Sequence, residues 1–133
     1  MTLPTKLRLV VVTPETTLLD QPVESLRVPM FDGSAGFLPG RAPLVGKLGF
    51  GELRMTDASG SKSYFVEEGF VQVKGETVSV LTARATEVSA IDVGAAEKAL
   101  SEATARTATT EIERTARRKD VDRARAQLAL ARR

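Results

Sequence analysis

Residues 44–83, LVGKLGFGELRMTDASGSKSYFVEEGFVQVKGETVSVLTA, decide the fold. Short runs of aliphatic and β-branched residues alternate with turn signals. Leu44–Leu48 and Glu52–Thr56 are separated by Gly49-Phe50-Gly51, and Asp57-Ala58-Ser59-Gly60 is a hairpin turn. Ser63–Glu67 passes through Glu68-Gly69 into Phe70–Val73, and Lys74-Gly75-Glu76 turns the chain into Thr77–Ala83. Strands this short and this evenly spaced indicate an antiparallel sandwich or barrel. Phe70, with Val71 and Val73, is expected to face inward. Val78 and Val80 should share a face, with Leu81 close to the core.

Upstream, Leu7–Val12 begins with alternation and reads as a strand, and Thr13-Pro14-Glu15 breaks it. Thr17–Leu19 gives a short second strand and Asp20-Gln21-Pro22 a turn. Val23, Leu26 and Val28 belong to a third strand, with Glu24, Ser25 and Arg27 on its wet side. Asp32–Leu44 then holds three glycines and two prolines in thirteen residues. Gly36 and Gly40 can take backbone angles closed to other residues, while Pro39 and Pro43 fix φ and remove a donor. The segment therefore reads as a shaped corner presented at the surface of a β body. Eight to ten strands are expected in all.

At Glu87 the composition changes. From there to Arg133 there is no proline and one glycine, Gly94, among many Ala, Arg and Glu residues, which favour helix. Ser89-Ala90-Ile91-Asp92 fits a capping box, after which Val93, Ala96, Leu100 and Ala103 recur at helical spacing to about Arg106. Thr110-Glu111-Ile112-Glu113 is a second box, followed by a stripe of Val121, Ala124, Leu128 and Ala131 over residues 111–131. The chain is thus expected to comprise a β-sandwich over 1–86 and a two-helix hairpin over 87–133. An alanine stripe buries little area at about 25 cal/mol per Å², so the hairpin is expected to be thin and able to change shape.

The 133 residues contain no Cys and no His. That removes thiol nucleophiles, imidazole bases and the usual zinc ligands. No catalytic residue, cofactor or metal site is expected. Glu67-Glu68 is the only adjacent acidic pair, and neighbours in a strand face opposite sides. The longest aliphatic run, Leu9–Val12, is four residues, so neither a membrane span nor a signal peptide is expected. The net charge of +2 hides an uneven distribution. Residues 1–84 carry nine basic and nine acidic groups, whereas residues 114–133 carry eight basic groups against Asp120 and Asp122. Arg114, Arg117, Arg118, Arg123 and Arg125 are therefore either a solvated face that complements the helix dipole or a contact for an acidic partner. Without interleaved aromatics, they do not suggest nucleic acid.

The order of motifs adds to this. Gly36-Phe37-Leu38-Pro39-Gly40-Arg41-Ala42-Pro43-Leu44 is similar to the Gly-Ile-Leu-Pro-Gly-His-Ala-Pro-Leu of the epsilon subunits of F-type ATP synthases. Val12-Thr13-Pro14, Glu68–Val73 and Val78-Ser79-Val80-Leu81 follow the same family in register. The resemblance implies a ten-stranded sandwich with a helical hairpin, in a non-catalytic rotor subunit at the cytoplasmic face of an energy-transducing membrane. It implies that the sandwich binds the gamma subunit and sits on the c-ring. It also implies that the helices reach the alpha/beta head and restrain ATP hydrolysis. Arg41 stands where the family has His, and Gly33-Ser34-Ala35 lacks the family's acidic residue, so Arg41 and Asp32 are the candidate partner contacts of the corner, Asp32 being the carboxylate left for the ring. Some members hold ATP through an Ile/Leu-Asp-x-x-Arg-Ala pattern. Here Ala95 replaces its arginine, so Asp92 and Arg132 are weak nucleotide candidates and Asp92 is read as a helix cap. The alternative is a β-sandwich binding or scaffold module with a basic helical tail.

Overall fold

The computed structural model describes residues 7–37 and 44–133, which form two compact units, one ending at Glu87 and the other Val88–Arg133. The first unit holds eight strands among the described residues: β1 (Leu7–Val12), β2 (Thr17–Val23), β3 (Ser25–Met30), β4 (Gly33–Phe37), β5 (Leu44–Leu48), β6 (Gly51–Asp57), β7 (Gly60–Lys74) and β8 (Thr77–Glu87). Hydrogen bonding runs β2-β1-β8-β7-β5-β3-β4, with β6 between β3 and β7. All strand pairs are antiparallel except β1 with β8.

One buried cluster takes side chains from every strand, including Leu9, Val23, Val28, Phe37, Leu48, Leu53, Val66, Val71 and Val80. A flat sheet could not bring these together, so the sheet is folded over into two layers. The fold line crosses the long hairpin of β7 and β8. Residues 69–73 of β7 pair with β5, and residues 60–66 pair with β6. The β7–β8 register is continuous on either side of Glu68, where the ladder is interrupted. Glu68 has φ +40° and Gly69 φ +133°. A Cβ on Gly69 would lie 1.8 Å from the Leu81 carbonyl oxygen, so only glycine allows the two strands to approach there. The buried Thr82 hydroxyl donates to the Glu67 carbonyl (2.5 Å) and accepts from the Glu67 amide (3.2 Å), pinning the bend.

The bend also reverses side-chain parity. Tyr64 and Val66 face the core before it, Val71 and Val73 after it. Phe70 and Leu81, expected inside, are turned outward and lie 58% and 48% exposed. The two segments 63–67 and 70–73 are halves of one strand, which lowers the strand count to eight.

Two expected non-strand segments are edge strands. Asp20-Gln21-Pro22 continues β2, where Pro22 pairs with Arg8 at the rim of the sheet and its missing N–H costs no ladder bond to a further strand. Gly33–Phe37, expected within the corner, pairs with β3 through a two-residue turn at Phe31-Asp32. The rest of that corner, including Pro39, Gly40, Arg41 and Pro43, lies outside the described residues.

In the second unit a 3-10 turn at Val88–Ala90 leads to α1 (Val93–Ala105) and α2 (Glu111–Ala131). The N-cap of α1 is Asp92, which accepts from the Ala95 amide at 3.0 Å. Ser89, expected to open a capping box, lies in the preceding turn because a carboxylate sat closer to the first free amides. Thr110 caps α2 by accepting from the Glu113 amide at 3.1 Å, and its hydroxyl donates to the Glu113 carboxylate at 2.9 Å.

Gly69→Ala should destabilise the β body by about 3 kcal/mol or more, because the new methyl meets backbone rather than a movable side chain. Urea unfolding followed by Tyr64 fluorescence measures this directly, and a midpoint within error of the parent would show that the close approach is not required.

Candidate functional site

Two surfaces combine exposure with an organised chemistry. The first is the outer face of the layer formed by β2, β1, β8, β7 and β5. Register aligns Lys47, Phe70, Leu81 and Val12 in one row across four strands. Phe31 extends the row: its amide donates to the Lys47 carbonyl at 2.8 Å, and the Lys47 ammonium lies 4.9 Å from its ring centroid. Val45, two residues from Lys47 on the same face, is 70% exposed. At the far end Val12, Pro14, Leu81 and Ala83 line a shallow cavity of about 320 Å³. A band of large apolar side chains this continuous marks an interaction surface, and isolated exposed residues would not. The sequence hid it because its central members depend on the parity change at Glu68-Gly69. The available signal was a glycine inside a strand pattern, which marks close backbone approach.

The second surface is α2. At 100° per residue Arg114, Arg118, Arg125 and Arg132 fall within about 40° of one another on one side of the helix. They are not equally available. The Arg114 guanidinium donates to the Thr109 carbonyl and that of Arg117 to the Arg106 carbonyl, both at 3.0 Å. Arg123 donates to Asp120 at 3.0 Å, and Arg132 pairs with Glu97 on α1. Arg118 and Arg125 are exposed and have no side-chain partner among the described residues. Asp120 also accepts from Arg106 at 2.9 Å, so it joins the end of α1 to the middle of α2. The donated bond from Arg106 holds the Asp120 carboxyl below its ordinary value, with Arg123 adding to the effect. The buried residues of the two helices are Ala96, Ala103, Ala124 and Leu128, so polar ties carry much of the hairpin's definition.

Asp32 is exposed in the β3–β4 turn, and Gly36 sits within β4 opposite Arg27. Asp92 is committed to capping α1. Among the described residues no cluster of acidic groups could hold a metal ion, and no helix is long and apolar enough to cross a membrane.

Residues 6–88 match the family described as ATP synthase, Delta/Epsilon chain, beta-sandwich domain. The ATP synthase epsilon chain of Rhodopirellula baltica is 44% identical over 126 residues, covering 95% of this chain and 98% of that one. That of Leptospira borgpetersenii is 43% identical over 97 residues, covering 73% and 76%. Among solved structures, a chain of the Euglena gracilis mitochondrial ATP synthase (OSCP/F1/c-ring, rotational state 1) superposes with a TM-score of 0.87 at 25% identity. It covers 97% of this chain and 83% of that one.

Because the folded Asp120 pKa is lowered, its contribution is present above the ordinary value of 3.8 and is lost as pH falls from there through the folded value. Circular dichroism of the helical signal on acidification should show this loss. Asp120→Asn should weaken the hairpin near neutral pH by no more than about 1 kcal/mol, the scale of an exposed ion pair, and remove that part of the acid dependence. An unchanged acid profile in Asp120→Asn would show that the tie contributes nothing.

Proposed function

Since the chain belongs to the ATP synthase epsilon-chain family, we propose that it is a non-catalytic central-stalk subunit that couples the gamma subunit to the c-ring and restrains ATP hydrolysis through its helices. The observation that carries this is the likeness to an epsilon chain over nearly the full length of both proteins, helices included. The two surfaces divide the work. The apolar band of Phe31, Val45, Phe70 and Leu81 suits a lasting contact, because it exchanges water for apolar area at about 25 cal/mol per Å² and holds no charge to desolvate except Lys47. We assign it to gamma. To the ring we assign Asp32, exposed in the β3–β4 turn.

The helices suit a reversible contact. Their buried residues are mostly alanine, and ion pairs of their kind contribute little each, so the hairpin can rearrange at small cost. The surplus cations of α2 would then meet carboxylates on the alpha/beta head. Arg118 and Arg125 can do so without breaking a bond in the hairpin. Arg117, Arg123 and Arg132 become available only when their contacts to Arg106, Asp120 and Glu97 open. The chain performs no bond chemistry in this role. Its effect on hydrolysis is a difference in affinity between two arrangements of the rotor. The subunit is peripheral and sits on the cytoplasmic face through its complex.

Replacing Arg118 and Arg125 together by Glu should raise ATP hydrolysis by the assembled enzyme several-fold, with the subunit still present in stoichiometric amount. Removal of the last 25 or so residues should raise it at least as much. Unchanged hydrolysis in both would contradict an electrostatic restraint by α2, and loss of the subunit from the complex would place these residues in assembly.

A further inference from the structure

We propose that the outer face of the other layer carries an oxyanion site built on Arg27 and Arg54, whose ligand is a phosphate dianion. The register of β3 with β6 makes these two residues direct partners. Their neighbours Leu26 and Met55 are in the core, so both guanidinium groups are on the solvent side. Like charges directly opposite in an antiparallel pair oppose each other unless something between them is negative. Among the described residues no carboxylate forms an ion pair with either. Arg27 donates only a long bond, 3.4 Å, to the Ser34 hydroxyl, and Arg54 has no side-chain partner among the described residues. The nearest acid on that face of β6, Glu52, is two residues away and accepts from the Ser63 hydroxyl at 2.6 Å.

The surroundings are shaped for a guest. A cavity of about 330 Å³ opens here, lined by Ser25, Arg27, Gly36, Phe37, Arg54 and Thr56. Gly36 is Arg27's partner on β4, and even a Cβ there would come to 3.9 Å of the guanidinium, so the missing side chain keeps that flank open. Ser25 and Thr56 are partners in the adjacent row and line the same cavity, the Thr56 hydroxyl also hydrogen-bonding the Ser61 hydroxyl at 3.0 Å. Two planar cationic forks and two hydroxyls can surround a tetrahedral oxyanion, and a charge of about −2 matches both arginines where a carboxylate would match one. The site lies on β3 and β6, on other strands than the row of Lys47, Phe70, Leu81 and Val12, and stands without that functional reading.

The test is an NMR titration of the full chain with inorganic phosphate, chloride holding the ionic strength constant. Saturable shifts should appear at the amides of Ser25, Arg27, Gly36, Arg54 and Thr56. Arg27→Gln and Arg54→Gln should each weaken the affinity about tenfold or more. Both side chains are exposed, so circular dichroism should remain that of the parent. Non-saturating shifts, or shifts that persist in the double variant, would overturn the site. Acetate binding there as tightly as phosphate would overturn the assignment of its ligand.

Discussion

The contact on which the structure turns is the approach of the Gly69 backbone to the Leu81 carbonyl. With no side chain at residue 69, β7 and β8 bend together and stay paired across the bend. One hairpin then serves both layers, pairing with β5 on one side of the fold line and β6 on the other. The same bend exchanges which side chains face the core. Without it Phe70 would lie on the inner face with Tyr64 and Val66, and the first layer would lose its apolar outer band. The device that closes the sandwich thus also turns Phe70 and Leu81 out to solvent.

The two units are stabilised by different means. In the β body the core is branched aliphatic and aromatic, with Leu9, Val23, Val28, Leu53, Val66, Val71, Val78 and Val80 almost wholly removed from water. Deleting a side chain from such a cluster costs about 2–5 kcal/mol. In the helical unit three of the four buried residues are alanine, and definition comes from caps at Asp92 and Thr110 and from arginine contacts across the hairpin. Such contacts are weak singly and are exchanged readily for others. A body that holds its shape and helices that can change theirs suit the role proposed above.

Much of this was legible in the sequence. The turn at Asp57–Gly60 announced itself, and its geometry is the expected one: the Asp57 carboxylate accepts from both the amide and the hydroxyl of Ser59. Thr110 was recognisable as a cap, and the alanine stripe as a thin helical interface. The misses share a cause. The parity change depends on how closely β7 passes β8, and Pro22 is tolerated in a strand because β2 is an edge; neither fact is local. The same holds for the site. A surplus of cations on α2 is plain from composition, but which arginines are engaged depends on partners 14 and 35 residues away, Arg106 with Asp120 and Arg132 with Glu97. The apolar band could not be assembled before the strand order was known.

Because the chain has no cysteine, one introduced thiol can report whether the apolar band is covered in the complex. A single Leu81→Cys substitution places one thiol in the apolar band. Its rate of reaction with a soluble maleimide, compared between the free chain and the assembled ATP synthase, reports whether that face is covered. Labelling should be fast in the free chain and strongly slowed in the complex, with a thiol at Ala58, in the β6–β7 turn, labelled equally in both. Equal labelling of Cys at residue 81 in the free and assembled states would show that the face turned outward by the Gly69 bend is not where the subunit docks.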